Sequence, residues 1–398
     1  MRVLVVHNYY QQPGGEDQVF AAEAHLLELH GHEVARYELH NDQIAELSCL
    51  RLGAATVWNG SSYRNLRDIV RIWRPDVVHF HNTFPLVSPA AYYAAKADLL
   101  PVVQTLHNYR LLCPAATFYR NGGTCEDCLG KFAPYSGIIH ACYGGSRAAT
   151  GAVAAMLTAH RTLGTWNRQV DVYVALSAFA SSKFVEGGLP PQKIAVKPNF
   201  LHPDPGAGDG RGRFALFVGR LTSEKGLRTL IESWRQVTPR LPLKIVGDGP
   251  LADSVSQAAR DIPGLEWLGR QPQHKVMELM KAAVILIVPS VWYECFPMTV
   301  VEALASGLPV IASNIGSLSS IIENGRTGLH FDPGNADDLA RKVTWALDNP
   351  NEINRMRRNA RSEYKSKYGA DRNYSMLVDI YRRAIASAAG EGVEVGSA

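Results

Sequence analysis

A chain of 398 residues is too long for one ordinary core and long enough for two domains of typical size. Hydrophobic residues make up 46% and charged residues 20%, the balance of a globular protein, which excludes a disordered or fibrous chain. The net charge of +4 is too mild to call for nucleic acid, and no basic run with interleaved aromatics suggests it. No apolar run reaches the roughly 18 residues of a membrane span. The opening MRVLVVHNYY passes straight from a short apolar run into a loop, without the longer core and cleavage site of a secretory leader, so the expected setting is cytoplasmic. Six cysteines there argue against a disulfide framework and leave metal binding or plain burial.

The first predicted strand, 2–6, leads into Pro13-Gly14-Gly15-Glu16-Asp17 and a helical pattern over 16–29. Two glycines let backbone amides approach a ligand closely, and Glu16-Asp17 suits a helix start, although paired glycines more often mark only a turn. The G-x-G-x-x-G dinucleotide fingerprint is absent. Strands at 34–39, 76–79 and 102–105 follow, with a helical pattern at 66–73. Arg64, Arg67, Arg71 and Arg74 recur there beside Leu66, Ile69, Val70 and Trp73. That pattern fits an amphipathic helix covering the sheet or a basic stripe against an anionic membrane. His79 and His81 stand at one strand end and His107-Asn108 at another, where a lone histidine is more often structural than catalytic.

Residues 111–145 interrupt the alternation and carry Cys113, Cys125, Cys128 and Cys142. The C-x2-C knuckle of Cys125 and Cys128 lets two thiolates reach one tetrahedral ion, and glycines and prolines nearby leave the segment little core of its own. The four are candidates for one structural zinc, with packed thiols or a redox couple as the alternatives. Strands at 172–176 and 194–197 close the first half.

Residues 203–212 are rich in proline and glycine without apolar periodicity, and read as a linker or hinge. Beyond them, strands at 214–218, 243–246, 265–268, 284–288, 309–312 and 328–331 alternate with helical patterns such as 227–237 and 336–347. Strand, helix, strand in near-continuous apolar runs means parallel sheets with both faces covered. The expected class is α/β: two doubly wound, Rossmann-like parallel-sheet domains facing a cleft at the carboxyl ends of their strands. The expected divisions are 1–200 with the insertion 111–145, then 201–370, then a final helix and tail over 371–398.

Two motifs in this half carry the most chemistry. Gly219-Arg220-Leu221-Thr222-Ser223-Glu224-Lys225-Gly226 follows a strand directly. The planar fork of Arg220 and the point charge of Lys225 can neutralise a diphosphate, though a solvated basic loop has the same look. The second motif, YECFPMTVVEALASG over 293–307, puts Glu294 on a loop and Glu302 inside a helix that starts near Met298. Two carboxylates so placed can grip two sets of hydroxyls on one extended ligand, with free N–H groups at the helix start suited to a phosphate between them. The alternative is a helix-start acid and a surface glutamate. Gly247-Asp248-Gly249-Pro250 and Trp267-Leu268-Gly269-Arg270 mark further strand ends.

In combination these motifs resemble the GT-B glycosyltransferases of family 4 over essentially the whole chain. The resemblance implies GT-B architecture, with an N-terminal acceptor domain, a C-terminal nucleotide-sugar domain and a last helix that crosses back to the first. It implies that Glu294 holds donor-sugar hydroxyls and Glu302 the ribose. Arg220 and Lys225 would bind the diphosphate, with Gly14 and Gly15 approaching it, and His107 would sit beside the transferring sugar. Gly269 and Arg270 match the loop that reads the base, and Phe296, Met298 and Thr299 complete the donor set. The implied reaction is transfer with retention from a UDP- or GDP-sugar to a saccharide or polyprenyl-linked acceptor, without a catalytic metal. Lipid-linked acceptors among bacterial members would bring the protein to the inner face of the cell membrane. The alternatives are a nucleotide-sugar epimerase and a non-catalytic nucleotide-sugar binder on the same fold. Two features depart from the pattern: Asn199 is not followed by the usual glycine, and the cysteine-bearing insertion occurs in some members only.

Overall fold

The structure, a computed structural model, describes residues 1–12 and 14–390. Pro13 of the glycine turn and the tail 391–398 lie outside the described residues. In chain order the strands are β1 Arg2–Tyr9, β2 Glu33–His40, β3 Val77–Phe80, β4 Val102–Leu106, β5 Tyr119–Arg120, β6 Gly123–Thr124, β7 Val172–Ala175, β8 Ile194–Val196, β9 Ala215–Val218, β10 Leu243–Val246, β11 Leu265–Trp267, β12 Ile285–Val288, β13 Val310–Ser313 and β14 Gly328–Phe331. Six form one sheet in the order β2-β1-β3-β4-β7-β8, six another in the order β11-β10-β9-β12-β13-β14, and β5 and β6 a separate pair. All pairings within the two larger sheets are parallel. The fold is therefore α/β with two Rossmann-like parallel sheets.

Central strands such as β3, β4 and β12 are buried along their whole length because helices lie on both faces, which is why they read as unbroken apolar runs. Among the described residues, the one strand pairing without a strand pattern in the sequence is the short antiparallel β5–β6 pair inside the cysteine-bearing segment, too brief for any periodicity to show.

The chain separates into two compact units. The first comprises 1–118, 126–198 and the chain from 373 on, and the second 119–125 and 199–372. The first core joins Val3, Val5, Val77, Val103 and Val172 of the sheet to Phe20, Ala24 and Leu27 of the helix Gly15–Leu29 and to Leu377, Tyr381 and Ala384 of the helix Ala370–Ala388. The second is built around Trp234, whose ring is buried while its indole N–H donates to the Leu241 carbonyl at 2.9 Å.

The stretch 203–212 behaves differently from its composition. Gly208, Gly210 and Gly212 donate backbone hydrogen bonds to the carbonyls of Ser306, Lys281 and Ala282, and Asp204 makes a two-pronged pair with Arg361. It is a strap laid on the second unit, where the absence of side chains allows close backbone approach, and the units divide earlier, between Pro198 and Asn199. Among the described residues no helix is long and apolar enough to cross a membrane.

The final helix is expected to matter to the first unit as core. Leu377→Ala removes a fully buried side chain and is expected to cost about 2–5 kcal/mol in urea unfolding. A cost below about 0.5 kcal/mol would show that the helix does not contribute to that core.

Candidate active site

In the second sheet the strand order changes direction between β9 and β12. The carboxyl ends of strands flanking such a point leave a crevice that open parallel sheets use for ligands. Both charged motifs stand there. After β9 the chain passes Gly219 and Arg220, makes a tight turn over Ser223–Lys225, and reaches Gly226 in the left-handed conformation with φ +72°. An added Cβ at Gly226 would stand 1.8 Å from the Pro289 carbonyl oxygen, so only glycine lets the loops after β9 and β12 touch. Val291 N–H also donates to the Glu224 carbonyl at 2.9 Å.

This backbone contact delivers Lys225 to Glu294, with Nζ 2.5 Å from Oε1. Ser290 donates to the same oxygen at 2.8 Å, and the ammonium lies 5.3 Å from the Trp292 ring centroid. Glu294 is buried while Lys225 keeps partial access to solvent. Arg220 is exposed and pairs with no carboxylate among the described residues.

Glu302 lies on the helix Met298–Ala305, buried, and accepts a hydrogen bond from Gln273 Nε2 at 2.6 Å. Burial raises its carboxyl above the usual range. Met298 and Thr299 form the half-buried start of this helix, where backbone N–H groups have no intrahelical partner. Phe296 is buried against Tyr368, with ring centroids 5.9 Å apart. Gly269, at the end of β11, accepts from Gly247 N–H at 2.9 Å, and Arg270 beside it is exposed.

The first sheet reverses between β1 and β3. Asp17 organises the glycine turn beyond β1: one carboxylate oxygen accepts from Gly14 N–H at 2.7 Å and the other meets His7 Nε2 at 2.7 Å. Gly15 opens the helix that follows. Glu16 is half-buried, its two oxygens each 3.5 Å from an amide nitrogen, one of Asn82 and one of Asn108. Burial first, and then the Asp17 charge, push its carboxyl from the ordinary 4.5 to about 8.

His79, His81 and His107 cluster at the ends of β3 and β4. His79 bonds the Tyr381 hydroxyl through Nδ1 and Thr105 Oγ1 through Nε2, each at 2.8 Å. His81 Nδ1 lies 3.0 Å from His107 Nε2. Burial holds His79 down to about 3 and keeps His81 and His107 well below 6.5. His107 and Asn108 also border a small cavity of about 40 Å³ with Asn82, Phe84 and Arg110.

Several members of these sites escape sequence reasoning. Ser290 and Gln273 carry no signal of their own. Glu23 does: it falls on the buried stripe of its helix with Val19, Phe20 and Ala24, where a lone carboxylate needs a partner. That partner is Lys197, buried at the end of β8.

The zinc site expected at Cys113, Cys125, Cys128 and Cys142 is a proposal that rests on their spacing. Among the described residues the one group of three metal-capable side chains within 4.8 Å of one another is Glu23, His79 and His81.

The family model described as "Glycosyltransferase Family 4" matches residues 14–204, and "Glycosyl transferases group 1" matches 203–363. The chain belongs to the family 4 glycosyltransferases of GT-B fold. Glycogen synthase of Mycobacterium tuberculosis is 28% identical over 334 residues, 80% of this chain and 71% of its own. D-rhamnosyltransferase WbpZ of Pseudomonas aeruginosa is 32% identical over 162 residues, 40% of this chain and 42% of its own. Among solved structures, sucrose-phosphate synthase from Thermosynechococcus elongatus aligns with TM-score 0.71 at 14% identity, covering 97% of this chain and 99% of its own. HepE of Anabaena in complex with UDP-glucose aligns with TM-score 0.66 at 16% identity, covering 96% and 100%. This family member is thus a transferase by kinship, and the GT-B fold is shared with both structures.

Glu16 gives a pH test. Its folded-state affinity for a proton exceeds that of the unfolded chain, so stability is expected to fall as pH rises from about 4.5 towards 8 and to level off above. Glu16→Gln cannot lose a proton and lacks this slope. Urea unfolding of both proteins at several pH values in that window is expected to show wild type losing ground to the variant; a constant difference would mean that Glu16 titrates normally.

Proposed function

We propose that this glycosyltransferase moves a sugar from a UDP- or GDP-linked donor to a saccharide or polyprenyl-linked acceptor, with retention and without a divalent cation. The observation that carries this reading is the meeting of Lys225 and Glu294 where the second sheet reverses its strand order. A cation and a buried carboxylate in contact there suit adjacent parts of one ligand, an anionic diphosphate and a hydroxyl-bearing sugar. The UDP-glucose bound to HepE supports the same donor class.

In this reading Glu294 accepts hydrogen bonds from sugar hydroxyls and Glu302 from the ribose. Gly269 and Arg270 face the base, and Phe296, Met298 and Thr299 line the donor between them. Gly14 and Gly15 serve the diphosphate and His107 the transferring sugar. The bond from the anomeric carbon to the phosphate oxygen breaks with its electron pair going to the phosphate. Arg220 and Lys225 stabilise that growing charge as fixed donors do at an oxyanion. The acceptor hydroxyl oxygen attacks from the same face, and its proton passes to the departing phosphate.

Contact with an anionic membrane is proposed for the helix Gly60–Trp73. It buries Leu66 and Val70 against its own unit, spends Arg67 on Asp98 at 3.6 Å, and leaves Arg64, Arg71, Arg74 and Ile72 exposed. Three exposed cations near an apolar side chain suit a bilayer surface at roughly 1 kcal/mol each. Wild type is expected to sediment with phosphatidylglycerol vesicles at low salt, and an Arg64/Arg71/Arg74 triple glutamine variant to stay in solution. Equal sedimentation of both removes the helix from membrane contact.

Lys225→Ala and Glu294→Gln are each expected to lower kcat/KM at least about a hundredfold, because both act on charge in the transition state. Turnover of a UDP- and GDP-sugar panel, with circular dichroism confirming the fold, checks this. EDTA is expected to leave initial rates unchanged, and the product to keep the donor's anomeric configuration by NMR. Near-wild-type rates in either variant, a metal requirement or an inverted product would each overturn the corresponding part of the mechanism.

A further inference from the structure

The cluster of Glu23, His79 and His81 has the composition of a metal site, yet its cation is already supplied. Lys197 Nζ, fully buried, donates to Glu23 Oε1 and to Asn373 Oδ1, the latter at 3.3 Å. His79 has both ring nitrogens engaged by hydroxyls. What remains is a pair of sealed atoms without a hydrogen-bond partner, Glu23 Oε2 and His81 Nε2, facing each other at 3.5 Å. The opposite nitrogen of His81 is the one that meets His107 Nε2 at 3.0 Å.

We propose that Glu23 and His81 are positioning residues that fix the tautomer of His107: His81 carries its proton on Nε2, towards Glu23, and His107 carries its proton on Nε2 and donates to the bare Nδ1 of His81. A bond between two neutral imidazoles needs one N–H and one lone pair. A carboxylate only accepts, so a proton on His81 Nε2 places a dipole favourably against Glu23 Oε2. The opposite tautomer sets two acceptors against each other in a buried, low-dielectric place, which costs free energy that no other contact offsets. The displaced imidazole constants described above agree with two neutral rings, since neither is an imidazolium at neutral pH.

The consequence for catalysis rests on the transfer reading. Orientation through Glu23 and His81 leaves His107 Nδ1 as a lone pair at the end of β4, and this atom is not among the sealed, unpartnered ones. His107 therefore recognises a group that donates, such as a sugar hydroxyl, and does not itself donate to a phosphate or carbonyl oxygen. The same arrangement explains why a strand-end histidine can be both buried in a network and available to substrate.

The test uses ¹⁵N-histidine-labelled full-length protein, with two-bond nitrogen–proton correlations assigned by His107→Gln and His81→Phe. His107 is expected as the pure Nε2–H form. His81→Phe keeps a flat ring and removes the acceptor; it is expected to give mixed His107 tautomers and a roughly tenfold lower kcat. His81→Asn returns an oxygen near the position of Nδ1 and is expected to restore the Nε2–H form and most of the rate. A purely structural His81 would affect stability in both variants and leave the tautomer alone. Wild-type His107 found as Nδ1–H or as imidazolium overturns the proposal, whatever the variants do. The Nε2–H form in a protein that turns over no sugar nucleotide refutes the transfer reading and upholds the tautomer assignment; turnover with Nδ1–H His107 does the reverse.

Discussion

A lysine and a glutamate buried together lie beneath the strand ends of the first sheet, and much of that unit is arranged around them. Two charges removed from water cost several kcal/mol each before their attraction is counted, and the debt is met only where the geometry is good and the remaining polar atoms find partners. Here Lys197 arrives from the end of β8, Glu23 from the helix Gly15–Leu29, and Asn373 from the helix Ala370–Ala388. Three segments far apart in sequence are thus fixed at one point. Losing either charged partner strands the other, an effect of about 3–5 kcal/mol. The position of the histidines above the pair follows from this, since Glu23 faces His81 and the same final helix supplies Tyr381 to His79.

Both sheets collect their chemistry by the same geometric rule and use it differently. Parallel pairing sends every strand's carboxyl end to one edge, so residues from separate loops become neighbours there without any loop having to be long. At the reversal point of the second sheet that edge carries a cation against a carboxylate. At the reversal point of the first it carries amides, neutral imidazoles and a carboxyl whose proton is held to about pH 8. Charged donors suit a leaving phosphate, whose charge grows during transfer. Neutral hydrogen-bonding groups suit hydroxyls, which must be oriented without being ionised.

The strands were legible because burial on both faces writes an unbroken apolar run, and the charged motifs because each stands directly after such a run. Glu294 and Lys225 could be picked out from residue type and position, although their contact spans 69 residues and depends on Gly226 admitting the Pro289 carbonyl. The histidine network was not legible. Glu23 and Lys197 are 174 residues apart and His79 and Tyr381 are 302 apart, so no local pattern links them. Reading composition alone also overshot once. Proline and glycine in 203–212 read as a linker or hinge, whereas glycines lacking side chains are what let that strap hydrogen-bond closely along its unit.

The departure from the family pattern at Asn199 has its own physical account. A glycine after the asparagine would supply backbone freedom and no side chain, but here Phe200 follows and is 1% exposed, filling core instead. On the other side Lys197 is held by Glu23, and the Pro198 carbonyl accepts from Asn373 Nδ2 at 3.0 Å. Beyond Phe200, Leu201 donates to the Tyr368 carbonyl at 3.2 Å and accepts from the Tyr364 hydroxyl at 3.0 Å. Proline fixes its own φ and restricts the residue before it, so Lys197 and Pro198 are constrained twice, by backbone sterics and by their partners. Each residue from 197 to 201 except Asn199 thus has an identifiable anchor, and Asn199 itself is buried with a side-chain oxygen that has no hydrogen-bond partner. The lysine at the head of this segment is the same one that pairs with Glu23, whose other oxygen faces His81.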